Sequence, residues 1–247
     1  MQRLCGKNLD LNATLPCFIN SHFVIPYFMT ATFTDFFHIS YQNTMSANIQ
    51  KMVYINLEQR TDRKKDFENE MHKLGWTADR VAGIYREYPM GILGCGESHL
   101  ACLKIAKDQN LKNILIMEDD LHFIEEPAVV EEEIKKLFQF RPDFDVCFLS
   151  YNLIEGIETE HPFLTRAVCS QSASGYIVNG HYIQKLIDLY EYALPLLEKT
   201  KMHWVYANDQ AWKDLQKKDN WFCFTKRLGK QRDGFSDNSN RFEQYGC

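Results

Sequence analysis

A short apolar run that ends abruptly in three acids places the strongest constraint on this fold. The run covers residues 113–117, and the acids are Glu118, Asp119 and Asp120. Because the run contains no polar alternation, it predicts a central strand that is buried on both faces of a sheet. Ligands of open α/β sheets bind at the carboxyl ends of the strands, so we expect the three acids in a binding site.

Strands and helices alternate along the rest of the chain from residue 52. Strands are predicted at 52–57, 113–117, 144–149, 175–178 and 221–225, and helices at 62–74, 95–109, 128–138, 182–192 and 208–216. Thr61 is the expected N-cap of the first helix, and Gly75 is expected to end it. This order predicts an α/β sheet with helices on both faces.

Composition limits the classes of partner. The chain has 247 residues, 45% of them hydrophobic, which is enough for one substantial core. A net charge of -5 and a pI near 5.9 exclude a global positive field that would hold nucleic acid or an anionic membrane. The eight cysteines form no CxxC pair and no zinc-type spacing, so we expect buried free thiols, a reducing compartment and a cytoplasmic location.

The first part of the chain differs in character from the rest. We expect residues 1–48 to be a leader of uncertain structure and residues 49–247 to form a single domain. Segment 15–33 is apolar and could be a signal anchor, but its two prolines and several polar groups are costly in a spanning helix, so no membrane span is expected. An alternative start at Met45 would make the leader dispensable.

The polar tail from Gly229 is either disordered or a loop that closes over a site.

Three acids after a buried strand predict a divalent cation. Carboxylates, water and phosphate oxygens are the ligands that Mn²⁺ or Mg²⁺ prefers, and a cation lowers the cost of crowding like charges. Held among these acids, it would neutralise a diphosphate leaving group. The alternative is a solvated strand end whose acids cap the next element.

Polar residues near two other predicted elements are candidates for nucleotide binding. Arg60 and Arg63, with Asn56, follow the first strand and can hold a base or phosphates through forked hydrogen bonds. The alternative is a solvated helix face. Segment 91–99 is rich in glycine and leads into a helix, so its amides can approach phosphate or ribose closely, although it is neither a P-loop nor GxGxxG.

Three further side chains have a structural and a functional interpretation. His99 is either a ligand-site residue or a core histidine, and Ser98 is either a site hydroxyl or an N-cap. Asp209 opens a predicted helix, where capping is the default role; as a functional residue it would deprotonate an acceptor hydroxyl. Because the chain has no GxSxG and no HExxH pattern, hydrolase functions lack their usual anchors.

The ordered motifs together resemble glycosyltransferase family 25. The resemblance rests on VYINLEQRTDRK at 53–64, then RVAGI, then GILGCGESHLACLKIAKDQNLKNILIMEDDL at 91–121, and it extends from about Lys51 to Phe242. The family includes lipooligosaccharide (lipopolysaccharide-type) galactosyltransferases, collagen galactosyltransferases and relatives in large DNA viruses. It implies a GT-A-like, Rossmann-type mixed sheet flanked by helices, a UDP-hexose donor, a divalent metal and inversion at the anomeric carbon.

The resemblance also assigns roles by position. It implies donor-side roles for Asn56, Arg60, Arg63, Gly94, Ser98, His99, Gly175, Tyr176 and Asp237, and it points to Ser174 beside them. Glu118 would lie near the ribose and Asp120 on the metal, with Asp119 supporting either. Asp209, followed by Gln210, matches a DQ pattern of the family and is our candidate for the catalytic base.

These expectations combine into one function with two rivals. The predicted reaction moves galactose or glucose from a UDP-sugar to a hydroxyl on a glycan, a lipid-linked glycan or a hydroxylysine-type protein acceptor. One rival is a metal-dependent nucleotidyl- or phosphotransferase, although no Walker-type lysine is present. The other is a non-catalytic module that binds a nucleotide sugar.

Overall fold

The computed structural model describes residues 48–246. The predicted leader up to residue 47, including segment 15–33 and Met45, lies outside the described residues, and the boundary at residue 48 stays a prediction. No helix within 48–246 is long and apolar enough to cross a membrane.

The described residues form ten strands, seven helices and one turn of 3-10 helix. The strands are β1 (Met52–Asn56), β2 (Asp79–Ala82), β3 (Asn113–Glu118), β4 (Leu121–Phe123), β5 (Val146–Glu158), β6 (Leu164–Asn179), β7 (Trp221–Phe224), β8 (Gly229–Gln231), β9 (Gly234–Ser236) and β10 (Arg241–Glu243). The helices are α1 (Thr61–Leu74), α2 (Gly91–Asp108), α3 (Pro127–Phe140), α4 (Ile183–Thr200), α5 (His203–Tyr206), α6 (Asn208–Ala211) and α7 (Lys213–Gln216), with the 3-10 turn at Gly180–Tyr182.

Six strands form a central mixed sheet in the order β2-β1-β3-β6-β5-β7. Strand β1 is parallel to β2 and β3, whereas β6 is antiparallel to both of its neighbours, β3 and β5. The register sets Ile55 opposite Glu118, so β1 and β3 end at the same edge. The predicted α/β class, with a mixed sheet flanked by helices, is confirmed.

Strand β3 is buried on both faces, as its apolar run predicts. Ile114 and Ile116 belong to a core cluster that includes side chains of α2 and α4, such as Leu103 and Leu186. Leu115 and Met117 belong to a second cluster with side chains of α1 and α3. Each face therefore contributes its own packed layer, and the carboxyl end of β3 is held from both sides.

Several predicted boundaries were wrong, for identifiable reasons. The strands predicted at 144–149 and 175–178 are the buried ends of a long β5–β6 hairpin, whose outer part is more exposed and shifts register repeatedly, so it lacks regular apolar periodicity. The single helix predicted at 208–216 is two one-turn helices, α6 and α7, and the extended backbone of Ala207 separates them from α5. Strand β2 was not predicted, because none of its residues is fully buried.

The ends of α1 show one wrong prediction and one confirmed prediction. Thr61 is the first helical residue, and Arg60 occupies the N-cap position without a side-chain capping hydrogen bond. Gly75 ends the helix as predicted, in the left-handed conformation with φ of 68°, and its amide donates to the His72 carbonyl. Among the described cysteines, Cys102, Cys147 and Cys223 are buried free thiols, as expected.

The two-sided burial of β3 predicts that truncation on either face destabilises the protein. Ile116→Ala and Leu115→Ala should each lower the free energy of unfolding by about 2–5 kcal/mol, because each leaves a cavity in a packed core. Urea unfolding measures both, and Ile157→Ala at a half-exposed position of β5 is the control, with an expected cost under about 0.5 kcal/mol. A large loss for one face alone would contradict two-sided packing.

Candidate active site

The carboxyl edge of β1 and β3 holds the acidic triplet through backbone and side-chain hydrogen bonds. The Asp119 amide donates to the Ile55 carbonyl at 3.1 Å, which continues the β1–β3 pairing past the end of the strand. Asn56 Nδ2 donates to Asp119 Oδ2 at 2.7 Å and to the Arg60 carbonyl at 3.0 Å. Asn56 therefore ties the acids to the start of α1, and it is itself fixed by Arg80 Nε at 2.9 Å.

Arg63 bridges two of the three acids. Its Nη1 lies 3.1 Å from Asp119 Oδ1 and 2.9 Å from Asp120 Oδ2. Asp120 Oδ1 is buried without a hydrogen bond of ordinary geometry to any residue that the structure describes, although the Gln231 amide lies near this carboxylate. One guanidinium thus compensates two carboxylates, and one carboxylate oxygen is left for a further partner.

The environment moves the pKa values of the three acids apart. Burial and the charge of Glu118 raise the pKa of Asp120 to about 7, against the opposing charge of Arg63. Burial likewise raises the pKa of Asp119. Burial also acts to raise the pKa of Glu118, but His99 and Arg63 outweigh it and hold that pKa below the ordinary value. An added positive charge near Asp120 would therefore offset the most unfavourable burial of negative charge among the three acids.

Glu118 is oriented by a histidine from α2. His99 Nε2 lies 3.0 Å from Glu118 Oε1, and His99 Nδ1 lies 2.9 Å from the hydroxyl of Tyr176 on β6. The thiol of Cys95 donates to Glu118 Oε1 at 3.6 Å. His99 and Tyr176 are fully buried, and through these contacts they fix the position of the Glu118 carboxylate.

The glycine-serine-histidine block is part of α2 rather than a loop before it. Because α2 begins at Gly91, the predicted start at residue 95 was wrong, and Gly94 lies inside the helix. A Cβ at Gly94 would collide with the carbonyl oxygen of Ile84, so glycine permits a close approach of the chain there. Ser98 Oγ donates to the Gly94 carbonyl at 2.7 Å and accepts from the Ile84 amide at 2.8 Å, so Ser98 is not an N-cap.

The tail from Gly229 covers the acidic triplet, which decides between its two sequence interpretations. Strand β8 pairs with β4, and β9 pairs with β10. Arg60 Nη1 donates to Asp237 Oδ2 at 2.7 Å, and Arg63 Nη2 donates to the Phe235 carbonyl at 2.9 Å. The Arg232 amide donates to the Asp120 carbonyl at 2.8 Å. Both arginines therefore connect α1 to the tail.

Two clefts meet at Glu118. The arginine cleft is lined by Arg60, Arg63, the segment 83–86, the acidic triplet, Asp237 and Tyr245. The Asp209 cleft is lined by Asp209, Ser172, His203, Asn208, Ser239 and Glu243. Cys95, Glu118, Gln231, Ser236, Asn238 and Tyr245 line both. A molecule bound in one cleft would therefore lie next to a molecule bound in the other.

Asp209 lies in the second cleft, at the start of α6. Its Oδ2 accepts from the Ser172 amide at 3.2 Å, and its Oδ1 accepts from Gln210 Nε2 at 3.2 Å. Burial raises the pKa of Asp209, while the Ser172 amide and the Gln210 side chain act against the shift. A buried carboxylate with a raised pKa is chemically suited to accept a proton.

The structure brings most of the sequence-predicted site residues together. Arg60, Arg63, Ser98, His99, Glu118, Asp119, Asp120 and Asp237 lie at the arginine cleft, Asn56 lies beneath it, and Asp209 lies in the adjoining one. Gly94, Gly175 and Tyr176 line neither cleft; Gly175 packs against Leu121. Sequence reasoning missed Cys95, although it stands four residues before His99, and it missed Gln231 and Tyr245 in the tail.

Comparisons with known proteins give structural similarity alone. No protein-family model matches the chain, and no curated protein matches it. A197 from STIV is 8% identical, with a TM-score of 0.43 over 78% of this chain and 92% of that one. A glycosyltransferase involved in the glycosylation of the major capsid of PBCV-1 is 8% identical, with a TM-score of 0.39 over 71% and 91%. UDP-glucose pyrophosphorylase complexed with UDP-glucose is 10% identical, with a TM-score of 0.43 over 77% and 76%. Similarity at this level carries no argument about a ligand or an activity.

The contact between Arg60 and Asp237 predicts that α1 holds the tail over the site. Arg60→Ala should accelerate amide hydrogen exchange across residues 234–237 roughly fivefold, because a partly buried ion pair contributes about 1 kcal/mol. Hydrogen exchange with mass spectrometry measures this. Arg241→Ala is the matched control, since its ion pair with Glu243 stays within β10 and its side chain is exposed. Equal exchange in the two variants would show that Arg60 does not hold the tail.

Proposed function

We propose that this protein transfers a hexose, galactose or glucose, from a UDP-sugar to an acceptor hydroxyl, as a GT-A-like enzyme of the glycosyltransferase family 25 type. The observation that carries the proposal is the meeting of two clefts at Glu118, one with the acidic triplet and two arginines, the other with a buried carboxylate. A sugar nucleotide and an acceptor need two such adjoining sites, and the reacting atoms must lie at their junction.

The donor set suits a hard divalent cation, Mn²⁺ or Mg²⁺. Asp120 has a buried oxygen without a hydrogen bond of ordinary geometry to the described residues, whereas both oxygens of Asp119 already accept hydrogen bonds from Asn56 and Arg63. Asp120 is therefore the first candidate ligand, with Asp119 in support. Such a cation, when bound, supplies Lewis-acid stabilisation of the diphosphate leaving group.

The remaining roles follow from where each side chain lies. Glu118, held by His99, faces the clefts and can accept a hydrogen bond from a ribose hydroxyl. Arg63 holds Asp119 and Asp120 in place, and Arg60 closes the cleft through Asp237. Because both guanidinium groups already pair with carboxylates, their part in donor binding is to shape the cleft rather than to offer free charges.

Asp209 is the proposed base. Asp209 and Glu118 line one cleft, whereas Glu118, Asp119 and Asp120 line the other. In the proposed reaction, an acceptor hydroxyl loses its proton to Asp209 and attacks the sugar on the face opposite the diphosphate. Displacement from that side inverts the anomeric carbon. The acceptor belongs to the glycan, lipid-linked glycan or hydroxylysine-type class, and the polar lining of the Asp209 cleft suits a hydroxyl-bearing molecule of this kind.

Replacing Asp120 tests the metal-dependent donor site. Asp120→Asn should lower UDP release from UDP-galactose or UDP-glucose with Mn²⁺ or Mg²⁺ by roughly 10²-fold or more, because the charged ligand is lost. Asp214→Asn, at an exposed acid of α7, is the control. Full metal-dependent turnover by Asp120→Asn would refute this role.

UDP release, together with an assay for pyrophosphate from UTP and a hexose 1-phosphate, separates the rival functions. A nucleotidyltransferase would form a UDP-sugar and pyrophosphate from UTP and a hexose 1-phosphate. A non-catalytic module would bind the UDP-sugar without turnover.

Replacing Asp209 tests the base. Asp209→Asn should keep UDP-sugar affinity within a factor of about two and lower transfer by roughly 10²–10⁴-fold. Since a base works deprotonated and burial raises the pKa of Asp209, kcat should rise with pH through an apparent pKa above the ordinary value of 3.8. That acidic limb should vanish from the residual activity of Asp209→Asn. Loss of donor binding together with transfer would indicate a structural role instead.

A further inference from the structure

Three side chains with metal-binding atoms converge where the two clefts meet. Cys95 and His99 stand four residues apart on α2, so they share one face of the helix, and Glu118 ends the neighbouring strand β3. Within residues 48–246, the sulfur, imidazole nitrogen and carboxylate oxygen of this trio lie within 4.8 Å of one another.

Two of the separations are close to the edges of a tetrahedral zinc site. Zinc bonds of about 2.3 Å to sulfur and about 2.0–2.1 Å to nitrogen or oxygen, at tetrahedral angles, put neighbouring ligand atoms roughly 3.3–3.6 Å apart. Cys95 Sγ lies 3.6 Å from Glu118 Oε1, and His99 Nε2 lies 3.0 Å from the same oxygen. These two edges need shifts of only a few tenths of an ångström, and Cys95 Sγ and His99 Nε2 lie within 4.8 Å of one another.

The surroundings of His99 are those of a metal-ligating imidazole. The ring is fully buried, and its other nitrogen, Nδ1, lies 2.9 Å from the Tyr176 hydroxyl. With Nδ1 protonated and donating to that hydroxyl, the lone pair of Nε2 points toward Cys95 and Glu118. Cys95 and Glu118 both line the two clefts, so an ion can enter, and a water can complete its coordination.

We infer that Cys95, His99 and Glu118 form a binding site for a zinc-class divalent cation, separate from the carboxylate site at Asp119 and Asp120. The sulfur and imidazole ligands favour Zn²⁺ over Mg²⁺ or Mn²⁺, for which the all-oxygen aspartate site is suited. On binding, the Cys95 thiol releases its proton to solvent and the His99 proton moves from Nε2 to Nδ1. The hydrogen bond between His99 and Glu118 is exchanged for one bond from each residue to the ion.

Occupation of this site has a consequence for catalysis. A bound zinc ion engages Glu118 and fills the junction of the two clefts, so it inhibits sugar transfer. This consequence rests on the proposed function, whereas the binding of the ion does not.

Cobalt substitution tests the site directly. The reduced, chelator-treated full chain is titrated with Co²⁺, which gives an intense thiolate-to-cobalt absorption when a cysteine is a ligand. The wild type should show this band and lose it when Zn²⁺ is added. Cys95→Ser should lack the band and bind Zn²⁺ at least about 10²-fold more weakly, while Cys169→Ser, at a cysteine outside both clefts, should behave as the wild type.

A second variant keeps the test decisive if Cys95→Ser fails to fold. Tyr176→Phe keeps all three ligands and removes the hydroxyl beside Nδ1, so it should keep the band and bind Zn²⁺ about 10- to 100-fold more weakly. A band that persists in Cys95→Ser, or no band in the wild type at saturating Co²⁺, overturns the site.

A turnover assay separates this inference from the proposed function. With Mn²⁺ present, and with each protein compared with its own turnover before Zn²⁺ is added, Zn²⁺ should inhibit the wild type and Cys169→Ser at concentrations that do not inhibit Cys95→Ser. Absence of turnover with every UDP-hexose would refute the proposed function, and the cobalt titration would still decide whether the zinc site exists.

Discussion

The arrangement of the site depends on the compensation of buried negative charge by Arg63. Its guanidinium contacts both Asp119 and Asp120, and it also donates a hydrogen bond to the Phe235 carbonyl, which holds the tail over the two acids. Without a cation at this point, two largely buried carboxylates beside Glu118 would repel one another at a high desolvation cost. The raised pKa values of Asp119 and Asp120 show that one guanidinium does not compensate them fully. That remaining imbalance is what a divalent cation would relieve.

Helix α2 sets the second half of the site through close backbone packing. Gly94 lets the helix approach the carbonyl of Ile84, and Ser98 joins the same two segments by hydrogen bonds. This contact fixes the rotation of the helix, which then directs Cys95 and His99 toward Glu118. The glycine and the serine thus set the position of the helix through contacts within the protein.

Much of the fold and part of the site were predictable from local patterns. The uninterrupted apolar run of β3 indicated burial on both faces, and Gly75 marked the end of α1, because each signal depends on a few neighbouring residues. The length of the β5–β6 hairpin was not predictable, since its outer half pairs irregularly and buries little apolar surface. The division of the helix predicted at 208–216 was also not predictable from local periodicity; Trp212, which separates the two short helices, is fully buried.

The sequence by itself determined the strand that carries Glu118, Asp119 and Asp120, and it placed the two arginines and Asp209 among the candidates, because residue type and spacing are local information. Tertiary structure alone decided which groups meet. Arg63 pairs with the acids, Asp237 returns from the tail to Arg60, and Cys95 joins His99 and Glu118 from another element. These contacts join residues far apart in the chain, and their distances follow from sheet order and helix packing, which no local pattern encodes.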